Sequence, residues 1–172
     1  RSCRMELRIF IPKEQAHKKR CFELLQRSNQ LNLSSKRYTE FEFEELKSND
    51  EVLCLALDCS DRFGVYGIVG FASVDESLEK PRLVDFAISC RVAQKMVEHA
   101  FFQWLAARQA RNGRKVLMVK LNKTNKNTPL VDVFKKLPFE SVDENDTNIL
   151  MQLRVEKMAA YETIVRVTAA AE

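Results

Sequence analysis

Cys90 is the side chain in this sequence best suited to covalent chemistry, because a thiolate holds an acyl group as a thioester and then releases it to a second thiol. Packing is the rival reading. Val84, Phe86, Ile88 and Cys90 alternate along a β-rich run and share one face, which makes Cys90 a small core residue. Arg91 points the other way, with Ser89 and Asp85, and either clamps a phosphate through two parallel hydrogen bonds or pairs with Asp85. Asn29, Gln30 and Asn32 supply amide donors and acceptors, to a carbohydrate-like acyl group or to the orphan carbonyls ending the helix before them. Arg62 tips a turn at 61–64, where it can touch a partner.

Other chemistries find less support. His17 and His99 are the only histidines, both expected on solvated helix faces. Cys3, Cys21, Cys54, Cys59 and Cys90 form no C-x-x-C pair, and Cys54 and Cys59 point to opposite faces of one strand, so no metal site is expected. An odd set of unpaired thiols points to a reducing, cytoplasmic setting. Twenty-eight basic against 24 acidic residues leave a net charge of +4, with both signs interleaved. That lacks the concentrated basic footprint of a nucleic-acid binder but suits an acidic partner or a phosphorylated ligand, which Lys18, Lys19 and Arg20 on one helix face would steer. No apolar run approaches the roughly 20 residues that cross a bilayer, so no membrane partner is expected.

The elements that position these residues are legible from periodicity. Alternation predicts a strand at 5–11 with one buried face, then a helix at 13–27 and a polar loop at 28–35. Thr39 with Glu42 three residues on forms a capping box for a short helix reaching about Leu46. The near-continuous apolar run at 51–59 is an inner strand, the chain turns at 60–64, and 65–74 returns as its antiparallel partner. A third strand is expected at 82–91, the longest helix at 95–112 with Gly113 as its stop, and a strand at 116–121. A short helix at 128–137, strands at 139–142 and 149–155, and a helical tail at 156–172 complete the chain. With 45% apolar and 30% charged residues, 4 Gly and 4 Pro, the chain at 1–172 reads as a single globular α/β (α+β) domain with a mostly antiparallel sheet. Opening at Arg1 with no signal pattern, it reads as a piece of something longer.

That element order resembles the GNAT N-acyltransferase fold, in which a fourth strand and the helix after it splay to admit the pantetheine arm of a thioester donor. The loop after that strand typically reads [QR]-x-x-G-x-[GA], with backbone amides binding pyrophosphate; here it reads Arg91-Val92-Ala93-Gln94-Lys95-Met96. The resemblance implies a cofactor-binding role for Arg91, Val92, Gln94, Lys95 and Met96. Gln94 and Met96 replace both glycines, which argues against coenzyme A. Asn127 occupies the place of the Asn in the N-x₆-Y pattern of many acetyltransferases, but Phe134 stands where Tyr would be the general acid. Asn127 is therefore a catalytic candidate by resemblance, and Phe134 a core residue.

A narrower resemblance spans nearly the whole chain. The runs Arg27-Ser28-Asn29-Gln30-Leu31-Asn32-Leu33-Ser34, Asp61-Arg62-Phe63-Gly64, Gly67-Ile68-Val69-Gly70, Ser89-Cys90-Arg91-Val92 and Thr124-Asn125-Lys126-Asn127 are similar, in order and spacing, to the C-terminal part of FkbH-like proteins. Such proteins join a haloacid-dehalogenase-type phosphatase domain to a GNAT-like domain and place a glyceryl unit on an acyl carrier protein for methoxymalonyl extender units. No D-x-D-x-[TV] phosphatase motif occurs in the 172 residues. The resemblance implies an acyl carrier protein and an N-terminal phosphatase domain as partners, and the carrier's phosphopantetheine arm as the group bound. Three readings follow: a carrier-dependent acyltransferase domain, a non-catalytic carrier-docking module, and an independent N-acetyltransferase.

Overall fold

The computed structural model describes residues 4–170. Its elements run β1 (Glu6–Phe10), α1 (Gln15–Arg27), α2 (Glu40–Ser48), β2 (Val52–Asp61), β3 (Gly64–Asp75), β4 (Arg82–Ile88), α3 (Val97–Arg111), β5 (Val116–Asn122), α4 (Thr128–Lys135), β6 (Phe139–Glu144), β7 (Asn148–Arg154), α5 (Val155–Ala159) and β8 (Arg166–Ala170). All eight strands join one sheet in the order β6-β7-β5-β4-β3-β2-β1-β8. Among the described residues, β1 with β8 and β4 with β5 run parallel and the other pairs antiparallel. The mixed α/β architecture with a mostly antiparallel sheet is the expected one.

Both faces of the sheet are covered. The α1 and α2 side buries Phe10, Cys21, Leu25, Phe43 and Phe71, and the opposite side buries Leu7, Ile9, Leu57, Phe86, Phe101 and Phe102. Two covered faces explain why Phe10, on the face of β1 expected to be wet, is buried while Glu6 and Arg8 are exposed. Cys54 and Cys59 lie in different clusters, as alternation requires. At the start of α2 the capping box closes, with the Glu42 amide donating to Thr39 Oγ1 and the Thr39 amide to Glu42 Oε1, both at 3.1 Å. Phe134 is buried against Phe102 and Phe139, with ring centroids 5.4 and 4.8 Å away.

Three expectations are corrected. The third strand stops at Ile88, because the Ser89 amide donates to Val69 O and the Ser89 hydroxyl then accepts from the Arg91 amide, starting a 3₁₀ turn at Cys90–Val92. Cys90 therefore leaves the alternation and is exposed. The tail at 156–172 is not helical throughout: α5 ends at Ala159, and β8 pairs parallel with β1 over Glu6↔Arg166 to Phe10↔Ala170, 171–172 lying outside the described residues.

The third correction bears on function. Strands β4 and β5 pair only at Arg82↔Met118 and Leu83↔Val119 and part beyond that point. Residues 31–33, expected in a polar loop, fill the gap. The Leu33 amide donates to Phe86 O and the Ile88 amide to Leu31 O, both at 2.9 Å, with Asn32 opposite Ala87 in an antiparallel bridge. On the other flank the Asn122 amide at the end of β5 donates to Leu33 O at 3.0 Å. Leu31, Asn32 and Leu33 are all buried. Among the described residues no helix is long and apolar enough to cross a membrane.

Candidate functional site

The turn after β4 delivers Cys90 to an open cleft of about 740 Å³ on the α1 side. Arg20, Leu24 and Arg27 of α1 form one wall, Ser28, Asn29 and Gln30 follow, and Asn125 and Lys126 close it from the loop after β5. Three cations and three amides face this space, and no carboxylate lines it. The Cys90 thiol donates to Gln30 Oε1 at 3.6 Å, which aims the sulfur across the cleft. Cys21, Cys54 and Cys59 are buried, and burial pushes each of these thiols up to about 12. Among the described residues Cys90 is thus the cysteine a substrate can reach.

Of the three amides read together in the sequence, Asn29 and Gln30 reach this cleft and Asn32 does not. Asn32 is fully buried; its amide donates to Ser28 O at 3.1 Å and its Oδ1 accepts from the Ser35 amide at 2.9 Å. It satisfies a carbonyl at the end of α1, the structural alternative raised for it. Arg37, which pattern reading passed over, does more of that work, donating to Leu25 O and Ser28 O and also holding Asn29 Oδ1. Asn127 is likewise buried. Its Nδ2 donates to Asn122 O at 2.7 Å and Asn32 O at 3.1 Å, and its Oδ1 accepts from the Thr124 amide at 2.9 Å. An amide with both donors and its oxygen engaged ties residues 31–34 to the end of β5.

Arg91 does not pair with Asp85. It is exposed and donates to Tyr66 O at 2.8 Å, while Lys95 stands 5.5 Å over the Tyr66 ring and donates to its hydroxyl at 3.4 Å. That hydroxyl in turn donates to Asp61 Oδ2 at 2.9 Å, so the β2–β3 hairpin and the turn before α3 share one cationic corner. Arg62 stacks on Phe63 at the hairpin tip, and Phe63 and Val65 are 72% and 81% exposed. Asp85 is buried with no cation paired to it among the described residues. It accepts from Ser34 at Oδ1 and from Tyr38 and Ser73 at Oδ2, each at 2.7 Å. Burial first, and Asp85 beside it, push the Tyr38 hydroxyl well above its usual range.

Within the turn, Val92 is buried core, Gln94 is exposed, and Met96 packs partly against the core. Gln94 and Met96 take φ of 61° and 64°. These are the two positions where the resembling motif has glycine, and left-handed backbone costs a non-glycine residue about 1–2 kcal/mol. Glu98, in the first turn of α3, is only 3% exposed; burial raises its carboxyl, against the pull of its own backbone amide. His99 is not solvated as expected. It is half-buried, its Nδ1 lacks a partner among the described residues, and desolvation, then Lys136, lower its pKa. His17 packs edge-on against Phe10 at 5.0 Å. Neither histidine lines the cleft.

No family model matches the chain, and no curated protein matches it. Solved structures do. Ribosomal-protein-S18-alanine N-acetyltransferase from Escherichia coli superposes with a TM-score of 0.63 at 14% identity, covering 88% of this chain and 94% of that one. The fold is that of the GNAT N-acetyltransferases. Aminoglycoside 6'-acetyltransferase type Ii gives 0.65 at 16% identity, covering 86% and 96%, and spermidine N-acetyltransferase from Vibrio cholerae, in complex with CoA and spermine, gives 0.63 at 12%, covering 90% and 98%.

Coenzyme A, which this fold implies, does not fit the residues present. An extended amide-bearing arm binds a strand by bonding its free edge, and the Phe86 carbonyl and Ile88 amide on the β4 edge are already bonded to residues 31–33. In the turn, the amides of Arg91, Val92, Ala93 and Lys95 donate within the chain.

Proposed function

We propose that this chain is the acyl-transfer domain of an FkbH-like protein, and that it passes an acyl unit through Cys90 to the phosphopantetheine thiol of an acyl carrier protein. The observation that carries the reading is the exposed Cys90 thiol, oriented by Gln30 in a cleft lined by Arg20, Arg27 and Lys126. The Cys90 thiolate adds to the carbonyl carbon of an activated acyl donor, forming the C–S bond as the donor's leaving group departs with its electron pair. The carrier thiol gives up its proton and adds to the same carbonyl. Cys90 sulfur leaves and is reprotonated, so the acyl group has changed sulfur with no net redox change. Asn29 and Gln30 supply the polar contacts to the acyl group.

Carrier docking is supported by the corner that Arg91 and Lys95 form around Tyr66, with Arg62 on Phe63 at the neighbouring hairpin tip, and with Lys18 and Lys19 on α1 adding long-range attraction for an acidic surface. The resemblance adds a phosphatase domain as the second partner, acting on the acyl unit's phosphate. Transfer of a labelled acetyl group between acetylated and unacylated holo-carrier, with the apo-carrier as control, tests this reading. Exchange that needs Cys90 supports it, and exchange at the uncatalysed rate refutes it.

An independent N-acetyltransferase is the second reading. It is favoured by the left-handed backbone at Gln94 and Met96, which keeps the turn in a glycine-like conformation, and by the N-acetyltransferases that share the fold. Acetylation of an amine from acetyl coenzyme A, unaffected by Cys90→Ala, would favour it.

A further inference from the structure

We infer that residues 31–34 are a built-in occupant of the gap between β4 and β5, so that the gap is closed to acyl-coenzyme A and the acyl donor of this chain reaches it elsewhere. The segment is sewn in on every side. Its backbone completes both flanking strands, through Phe86 and Ile88 on β4 and Asn122 on β5. Three asparagines fix it: Asn122 Nδ2 donates to Ser34 O at 2.9 Å, Asn127 Nδ2 to Asn32 O, and Asn32 itself back to Ser28 O. Ser34 and Tyr38 then anchor the following stretch to buried Asp85. Leu31 and Leu33 pack in the core on the α3 side, so withdrawal would expose apolar surface as well as break these bonds.

The second half of an acyl-coenzyme A site is compromised independently. Glu98 brings a buried carboxyl to the first turn of α3, where a phosphate would have to approach the helix amides. When ionised, that carboxylate repels a phosphate brought to the same turn. A chain that fills the strand gap with its own backbone and the helix end with its own acid has no use for a nucleotide-tethered thioester there. The cleft at Cys90 is open and lies outside the filled gap's lining residues 31–34.

Amide hydrogen exchange on the wild-type chain, with and without millimolar acetyl coenzyme A, tests this without any substitution. The Leu33, Ile88 and Asn122 amides are expected to exchange slowly and to be unchanged by acetyl coenzyme A. Fast exchange at these amides in the free chain, or loss of their protection when acetyl coenzyme A binds, would overturn the inference. Ser34→Ala removes one anchor to Asp85 and should speed exchange at Leu33 and Asn122 about tenfold with the rest of the sheet unchanged. No change there would overturn the assignment of the segment as separately anchored. The inference is independent of carrier loading, whose failure would appear as absent acetyl exchange between carriers rather than as altered protection.

Discussion

Replacing Asn127 by alanine separates a residue that holds the site from one that reacts in it. The substitution deletes the donors to Asn122 O and Asn32 O and the acceptor of the Thr124 amide, at a position 1% exposed to solvent. A net hydrogen bond contributes about 0.5–1.5 kcal/mol, and the partners left unpaired in a buried place raise the cost, so about 3 kcal/mol of stability should be lost. For a chain of this length that is about 6–12 °C in Tm. The assay is thermal unfolding by circular dichroism together with acetyl exchange between carriers at a temperature where both proteins are folded. The expected result is a large Tm loss with exchange reduced only in proportion to the folded fraction. A Tm within about 2 °C of wild type, with exchange abolished, would refute the reasoning and return Asn127 to the reacting groups.

Maleimide or iodoacetamide at pH 8 should modify Cys90 well before Cys21, Cys54 and Cys59. Burial raises those three to about 12, leaving about one molecule in ten thousand as thiolate; peptide mapping reads the order of labelling. Glu98→Gln should stabilise the chain near neutral pH by about 1 kcal/mol, or about 2–4 °C in Tm. Its raised carboxyl pKa means that stability is fully present below the unfolded value of 4.5 and falls as pH rises, so the gain should vanish below that pH; a gain independent of pH contradicts the cause. Arg91→Ala should weaken holo-carrier binding about tenfold to a hundredfold, as expected for loss of a charge-assisted contact to the phosphate, while apo-carrier binding hardly changes. Equal effects on both carriers, read by calorimetry, would remove the phosphate contact.

Local patterns carried most of the fold. The β2–β3 hairpin, the Thr39–Glu42 capping box, and the end of α3 near Gly113, whose φ is 76°, all have signals within a few residues of where they act. The misses have non-local causes. Leu31 and Leu33 alternate like a strand for only three residues, too few to stand out from a loop, and what orders them is the free edge of β4. Strand β8 has its partner at the opposite end of the sequence. Alternation extended past Ile88 favours the packing alternative for Cys90 over the covalent one, although the serine at 89 is a good capping residue and is the clue that the strand stops. Asp85 carried a signal of its own, an acid inside an apolar strand, but its donors come from positions 34, 38 and 73 and no spacing rule joins them. Asn29, Gln30 and Cys90 do meet in one cleft, and Arg91 and Lys95 meet at Tyr66.

Intact-mass spectrometry of the chain mixed with acetylated holo-acyl carrier protein tests the central claim most directly. Passage through Cys90 predicts an acetyl adduct that maps to Cys90, is removed by neutral hydroxylamine as a thioester should be, and moves to fresh holo-carrier on addition. Cys90→Ala should show neither adduct nor exchange while keeping the wild-type Tm, since the residue is exposed. Full exchange by Cys90→Ala, or an adduct that maps to another residue and still exchanges, would contradict the account.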